Sequence, residues 1–123
     1  MNSELRILIV EDDKLQAYLL QKLLENLGYS VAGVTSTGEE AVELVPKLEP
    51  QLILMDIALA GEIDGIEAVR RIRESNSSVN VIYITGNSDP SHKERAKQMG
   101  FVDFLIKPIN KSILVDSISK TLN

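Results

Sequence analysis

A chain of 123 residues, 44% hydrophobic and 25% charged, has the length and composition of one ordinary globular domain. Its net charge of −5 argues against a surface that binds nucleic acid or an anionic membrane, and the absence of cysteine excludes disulfides and thiolate metal sites. The opening residues carry no secretory signal pattern and no apolar stretch approaches the length of a membrane span, so we expect a cytoplasmic protein.

Short apolar runs predict the strands of a sheet at residues 5–10, 29–34, 51–56, 79–84 and 101–106. The third run is unbroken Leu, Ile and Met until it stops at Asp56, which is typical of a strand buried on both faces in the middle of a parallel sheet. The second run is less uniformly apolar, so we expect it at an edge.

The spacing of leucines predicts a helix after the first strand. Leu15, Leu19, Leu23 and Leu27 recur every four residues with Leu20 and Leu24 beside them, and Gly28 follows at a position where helix C-termini favour glycine. We expect these leucines to form the buried face of the helix. They are too few for a coiled coil.

Capping patterns predict where later helices begin. Residues 37–40 and 64–67 each place an N-cap side chain three residues before a glutamate. A mostly polar helix is predicted at 90–99, opened by a proline. A last helix from about residue 110 is expected to bury Leu114, Ile118 and Leu122.

Strand and helix alternate along the whole chain with short connections, which predicts a parallel sheet covered by helices on both faces. Four of the predicted strands would then end in polar groups at one edge of this sheet. These groups are Glu11 with Asp12, Asp56, Thr85 and Lys107.

Each of these residues alone has an ordinary explanation, as an acid at a helix N-terminus, a strand threonine or a surface lysine. Their joint placement indicates a site instead. Crowded carboxylates repel one another unless a cation joins them, and either Lys107 or a hard divalent ion such as Mg²⁺ would serve. A carboxylate nucleophile, a cation, a hydroxyl and a lysine are the groups that accept a phosphoryl group.

At this point the sequence resembles a known family, the receiver domain of two-component response regulators. Five segments carry the resemblance: residues 7–13, 52–56, 64–65, 84–86 and 104–108. The resemblance covers essentially the whole chain and implies one receiver domain over residues 1–123. It also implies a doubly wound, flavodoxin-like (βα)5 fold with five parallel strands in the order 2-1-3-4-5. The peptide between Lys107 and Pro108 is similar to one that is usually cis in this family.

The resemblance implies that Asp56 accepts a phosphoryl group from a sensor histidine kinase or a histidine phosphotransfer protein. Thr85 and Lys107 would contact the phosphoryl oxygens. The chain would then be a signalling switch, either a stand-alone receiver or the N-terminal part of a larger regulator or hybrid kinase. It would assist its own phosphotransfer and dephosphorylation but turn over no other substrate.

By the same resemblance, Asp12 would bind Mg²⁺ directly and Glu11 partly through water, with Mn²⁺ as an alternative ion. Asp56 and the main-chain carbonyl of Ala58 would complete the protein ligands. One departure concerns this loop: it lacks the usual Met-Pro pair at residues 59–62, and Asp64 lies one residue later than in the family.

Switching is expected to involve Thr85 and Phe104, which stands where many relatives have tyrosine. The face formed by the helix at 90–99, the fifth strand and the last helix would then control a downstream protein or an output domain. Homodimerisation through this face is left open by the sequence. Ala58 and Asn87 occupy the two positions that tune phosphoryl lifetime in the family.

Three other functions compete with this interpretation. A haloacid-dehalogenase-type phosphatase needs a second aspartate at the position of Ala58. A flavodoxin-like nucleotide or flavin binder needs a glycine- or hydroxyl-rich phosphate loop after the first strand, where this chain has acids that would repel phosphate. A degenerate receiver would lack part of the site, and here every member is present.

Overall fold

The computed structural model describes residues 5–76, 78–87 and 89–122. Its centre is a sheet of five parallel strands in the order β2-β1-β3-β4-β5, which confirms the predicted fold and the edge position of the second strand. The strands are β1 (Arg6–Val10), β2 (Ser30–Thr35), β3 (Leu52–Met55), β4 (Asn80–Thr85) and β5 (Asp103–Ile106). The helices are α1 (Lys14–Asn26), α2 (Gly38–Leu48), α3 (Gly65–Ser75), α4 (Pro90–Met99) and α5 (Lys111–Ser119).

Helices cover both faces of the sheet because side chains alternate along each buried strand. One core joins the even face of β1, including Leu8, to α2, α3 and α4. The other joins Ile7 and Ile9 to α1 and α5. The three central strands are thus apolar except at Arg6, Asn80 and Thr85, which lie at strand ends, because both of their faces are buried.

The predicted buried face of α1 is partly wrong. Leu15 and Leu19 are 66% and 56% exposed, whereas Leu24 and Ala17 are buried. Each step of four residues advances about 400° around a helix, so a strict four-residue series drifts by about 40° per step and leaves the core. The face that packs on the sheet follows steps of three and four from Ala17, and it includes Leu20 and Leu24, the two leucines predicted beside the series.

Helices α2 and α3 begin directly after the capping residues that the sequence predicts. Thr37 and Asp64 cap α2 and α3 as predicted, each accepting a hydrogen bond from the N–H three residues later. In α5, Leu114 and Ile118 are buried, but Leu122 is 55% exposed because the helix already ends at Ser119. The fifth strand begins at Asp103, two residues later than predicted.

Two further features bear on the sequence expectations. The peptide between Lys107 and Pro108 is cis, as the family resemblance implies. In the part of the chain that the structure describes, none of the helices has the length and apolar character needed to cross a membrane.

The two leucines of α1 give a direct test of the corrected face. We expect Leu24→Ala to lower the free energy of unfolding by about 2–5 kcal/mol, because it opens a cavity in the core. Leu19→Ala, on the same helix, should change it by less than about 0.5 kcal/mol. Urea unfolding of both variants measures the difference, and equal losses would show that Leu19 is buried in solution.

Candidate functional site

The carboxyl ends of three strands bring the predicted site residues to one edge of the sheet. Backbone pairing continues one residue past β1, β3 and β5: Glu11 N donates to Thr35 O at 3.0 Å, Asp56 N to Val10 O at 3.0 Å, and Lys107 N to Thr85 O at 2.7 Å. The side chains that follow each strand are therefore held by the sheet itself and not by mobile loops.

Lys107 joins the two buried carboxylates of this edge. Its Nζ donates to Glu11 Oε1 at 2.8 Å and to Asp56 Oδ2 at 2.9 Å. A third hydrogen bond, of 2.7 Å, goes to Gln16 Oε1. An ammonium group has three N–H donors, so each of them has a partner. Burial alone would lower the pKa of Lys107, but the hydrogen bonds and charges of Glu11 and Asp56 outweigh it and raise the pKa above its ordinary value.

The sequence analysis missed Gln16. Asp13 caps α1 by accepting a hydrogen bond from Gln16 N at 3.0 Å, which places this glutamine in the first turn beside the sheet edge. Part of this placement could be read from the sequence, because once Asp13 is recognised as the N-cap, Gln16 must lie in the first turn of the helix. That its side chain reaches Lys107 depends on the packing of α1 and could not be inferred from spacing.

Three carboxylates form a cluster that fits a hard divalent cation. One ligand oxygen each from Glu11, Asp12 and Asp56 lies within 4.8 Å of the others. Glu11 and Asp56 are buried and Asp12 is exposed, so the cluster opens to solvent on the side of Asp12. Oxygen-only donors with access to water suit Mg²⁺, which keeps several waters when bound to proteins. Ala58 lies beside the cluster and donates its N–H to Asp56 Oδ1 at 3.3 Å.

Thr85 and Asn87 form the start of the loop after β4. The Thr85 side chain is buried, and its Oγ1 accepts the N–H of Asn87 at 3.2 Å. The amide oxygen of Asn87 in turn accepts the N–H of Asp89, the N-cap of α4, at 2.8 Å. A displacement of Thr85 would therefore be passed through two local hydrogen bonds to the N-cap residue of α4.

Phe104 lies in an aromatic cluster that the sequence analysis did not predict. Its ring centroid is 5.7 Å from that of Tyr83 and 5.8 Å from that of Phe101. Phe104 is half-buried, whereas Tyr83 is fully buried. Burial raises the pKa of the Tyr83 hydroxyl, which has no hydrogen-bond partner among the described residues.

Asp64 has a structural role, as the sequence suggested. Its Oδ1 accepts the N–H of Glu67 at 2.8 Å and caps α3. The same carboxylate pairs with Arg95 of α4 at 2.9 Å, so it links the two helices on this face of the sheet.

An open cleft of about 600 Å³ reaches the site from the side of α1. Asp56, Glu11 and Lys107 lie at its polar end, and Leu19 and Ile109 line its apolar part. Asp56 thus lines the cleft although its side chain is largely buried.

Comparison with known proteins identifies the family. The response regulator receiver domain model matches residues 7–119. The chemotaxis protein CheY of Thermotoga maritima is 31% identical over 115 residues, which cover 94% of this chain and 95% of that protein. The transcriptional regulatory protein ZraR of Klebsiella oxytoca is 37% identical over 94% of this chain but 26% of its own length. Among solved structures, the receiver domain of a modulated diguanylate cyclase from Desulfovibrio desulfuricans has a TM-score of 0.87 at 39% identity, over 95% of this chain and 92% of that one.

The contact between Lys107 and Glu11 predicts a measurable energetic coupling. Lys107→Met leaves two buried carboxylates without a cation, and we expect it to lower the free energy of unfolding at pH 7 by about 1–3 kcal/mol, a value reduced for partial solvent exposure. Adding Glu11→Gln should recover part of this loss, because only one carboxylate then remains. Urea unfolding of both single variants and the double variant measures the coupling; strictly additive losses would contradict it.

Proposed function

Because the chain belongs to the family of response regulator receiver domains, we propose that it is a phosphoacceptor signalling switch. Asp56 accepts a phosphoryl group from the phosphohistidine of a sensor histidine kinase or a histidine phosphotransfer protein. The observation that carries this proposal is the placement of one buried carboxylate, Asp56, at 2.9 Å from the ammonium of Lys107 and beside two further acids.

The chemistry follows from these groups. An oxygen of Asp56 attacks phosphorus and forms the acyl phosphate, while the bond from phosphorus to the donor imidazole nitrogen breaks and that nitrogen keeps the electron pair. Lys107 neutralises charge on the phosphoryl oxygens as the transfer proceeds, and Thr85 donates its hydroxyl proton to one of them. The open cleft lets the donor reach the carboxylate without any movement of the sheet.

Glu11, Asp12, Asp56 and the carbonyl of Ala58 would hold Mg²⁺, with Mn²⁺ as the alternative. The bound ion supplies positive charge against the oxygens of the phosphoryl group during transfer. The chain's own contribution is to keep the carboxylates together without it, which Lys107 does by contacting two of them.

The switch begins at Thr85. A phosphoryl group on Asp56 adds negative charge and acceptor oxygens, and Thr85 moves toward it with the loop that carries Asn87. Phe104 then changes rotamer in the aromatic cluster, and the face formed by α4, β5 and α5 changes its shape. Ala58 offers no side-chain hydrogen bond to a water that attacks the acyl phosphate, whereas Asn87 can, so these two residues set the phosphoryl lifetime.

The partners are a histidine kinase or phosphotransfer protein and a downstream protein or output domain, with homodimerisation through the α4-β5-α5 face as a further mode. A cytoplasmic location fits such partners. We propose that residues 1–123 form one receiver domain. The relatives differ in length, since the chain covers 95% of the CheY relative but 26% of ZraR.

This is not proposed to be an enzyme with turnover on other substrates. A phosphatase that used Asp56 as nucleophile would need a second acid two residues later to protonate the leaving group. Ala58 occupies that position and is exposed, with no carboxylate of its own.

The proposal is tested by intact mass after incubation with a small acyl-phosphate donor. We expect one phosphoryl group to be gained with Mg²⁺ and none after its removal with a chelator, because the acyl phosphate requires charge neutralisation at the carboxylate cluster. Asp56→Asn should gain none. Asp13→Asn is the matched control, since asparagine also caps a helix, and it should be phosphorylated like the wild type.

Two outcomes would count against this function. A folded wild type with no mass gain and no binding of beryllofluoride would show that Asp56 is no phosphoacceptor. Equal gain in Asp56→Asn would place the acceptor at another residue.

A further inference from the structure

The loop between β3 and α3 carries Ala58, whose carbonyl is one of the proposed metal ligands. The base of this loop is closed by the backbone: Gly65 N donates to Ile57 O at 2.8 Å. A Cβ on Gly65 would lie 2.0 Å from the carbonyl oxygen of Asp56, so no other residue fits there without moving the phosphoacceptor's backbone. The base therefore fixes where the loop leaves β3 and where it enters α3.

The outer part of the loop is held from outside, by the first turn of α2. Thr37 and Ala60 form an isolated parallel bridge. Two residues farther along each segment, Glu39 Oε2 accepts the N–H of Glu62 at 2.9 Å. This second contact joins residues 23 apart in the sequence, so it ties two elements together and is not local capping.

The backbone conformation of Gly61 and its lack of a side chain allow this contact. Its φ of +96° is a conformation that side chains disfavour, and an added Cβ would lie 2.7 Å from Glu39 Oε1. The Glu39 carboxylate therefore lies directly over the turn of the loop. The hydrogen bond from the Glu62 N–H, and after it the one from the N–H of Glu39 itself, lowers the pKa of the Glu39 carboxyl.

A simpler explanation for Glu39 is that acids are favoured in the first turn of any helix. Glu40, its neighbour, fits that explanation, because within the described part of the chain its side-chain hydrogen bonds go only to the three residues before Gly38, from the end of β2 to the N-cap of its own helix. Glu39 differs because its side chain reaches a backbone N–H of another loop. The position of that loop matters for the site because the loop also carries Ala58, which donates its N–H to Asp56 Oδ1.

We propose that Glu39 is a positioning residue of the phosphoacceptor site: it fixes the outer part of the β3–α3 loop and thereby sets the affinity of the site for its divalent cation. This role rests on the proposed function, because it assumes that the Ala58 carbonyl is a ligand. Glu39 does not contact the ion. It limits the conformations of the segment between Ala58 and Glu62, so that the carbonyl is already in place when the ion binds.

Three variants separate this role from general effects of charge and folding. Glu39→Ala removes the acceptor. Glu39→Gln removes the charge but keeps an oxygen that can accept the Glu62 N–H. Glu43→Ala, one turn later on α2, removes an exposed carboxylate that pairs only with Lys47 among the described residues. Mg²⁺ affinity is measured by calorimetry, and the exchange rate of the Glu62 amide proton by NMR, both on protein that urea unfolding shows to be folded.

We expect Glu39→Ala to weaken Mg²⁺ binding by about fivefold and to accelerate exchange at Glu62 by a similar factor, which is the range that one net hydrogen bond contributes to an equilibrium. Glu39→Gln should stay within about twofold of the wild type in both measurements, and Glu43→Ala should match the wild type. Rescue by glutamine is the result that a purely electrostatic role could not give, since both Glu39 variants lose the same charge.

The failures are distinguishable. If the wild type binds Mg²⁺ and Glu39→Ala binds it equally well, the positioning role is overturned and the proposed function stands. If Glu39→Gln binds Mg²⁺ as weakly as Glu39→Ala does, the affinity depends on the long-range charge of Glu39 and not on its hydrogen bond with Glu62. The positioning role then fails as well. If the wild type itself binds no Mg²⁺, the proposed metal site fails, and the role of Glu39 fails with it.

Discussion

Two buried carboxylates share one ammonium group at the edge of the sheet, and the rest of the site depends on this contact. Lys107 lies 96 residues from Glu11 and 51 from Asp56 along the chain, so no local structure could bring them together. The strand order does so, because parallel strands end at the same edge and β1 lies beside β3. Burying two acids is unfavourable without a cation. The lysine at the end of β5 therefore lets the fold hold Glu11 and Asp56 side by side, both largely buried, at this edge.

The parts of the site that lie at strand ends could be predicted from the sequence. An unbroken apolar run such as 52–55 indicates a strand buried on both faces, and the residue that follows it must lie at the carboxyl edge. Glu11, Thr85 and Lys107 lie at this edge for the same reason, since they end or follow a strand and take part in the backbone hydrogen bonds there. These positions are determined by the backbone of the sheet, which tolerates few alternatives once the strand order is known.

The parts that depend on side chains crossing between elements could not be predicted. The first two leucines of the α1 series, Leu15 and Leu19, are exposed because a period of four is not the period of the helix, and Leu19 lines a cleft instead of the core. Three other side chains contact residues of a different element. Gln16 accepts a hydrogen bond from Lys107, Tyr83 packs against Phe104, and Glu39 accepts the N–H of Glu62. The type of each residue, polar or aromatic, does not indicate which distant residue it contacts.

The helix that would transmit the switch is held unequally along its length. Within α4 only Ala96 is fully buried, so its apolar anchoring is weak. At its C-terminal end, the half-buried guanidinium of Arg73 donates to the carbonyl of Met99 at 3.1 Å. Toward its middle the polar contact is the pair of Arg95 with Asp64, and both side chains are about a third exposed or more. Partly exposed pairs contribute about 0–1 kcal/mol. A change at the loop after β4 therefore meets least resistance at the N-terminal end of α4, the end to which that loop is joined.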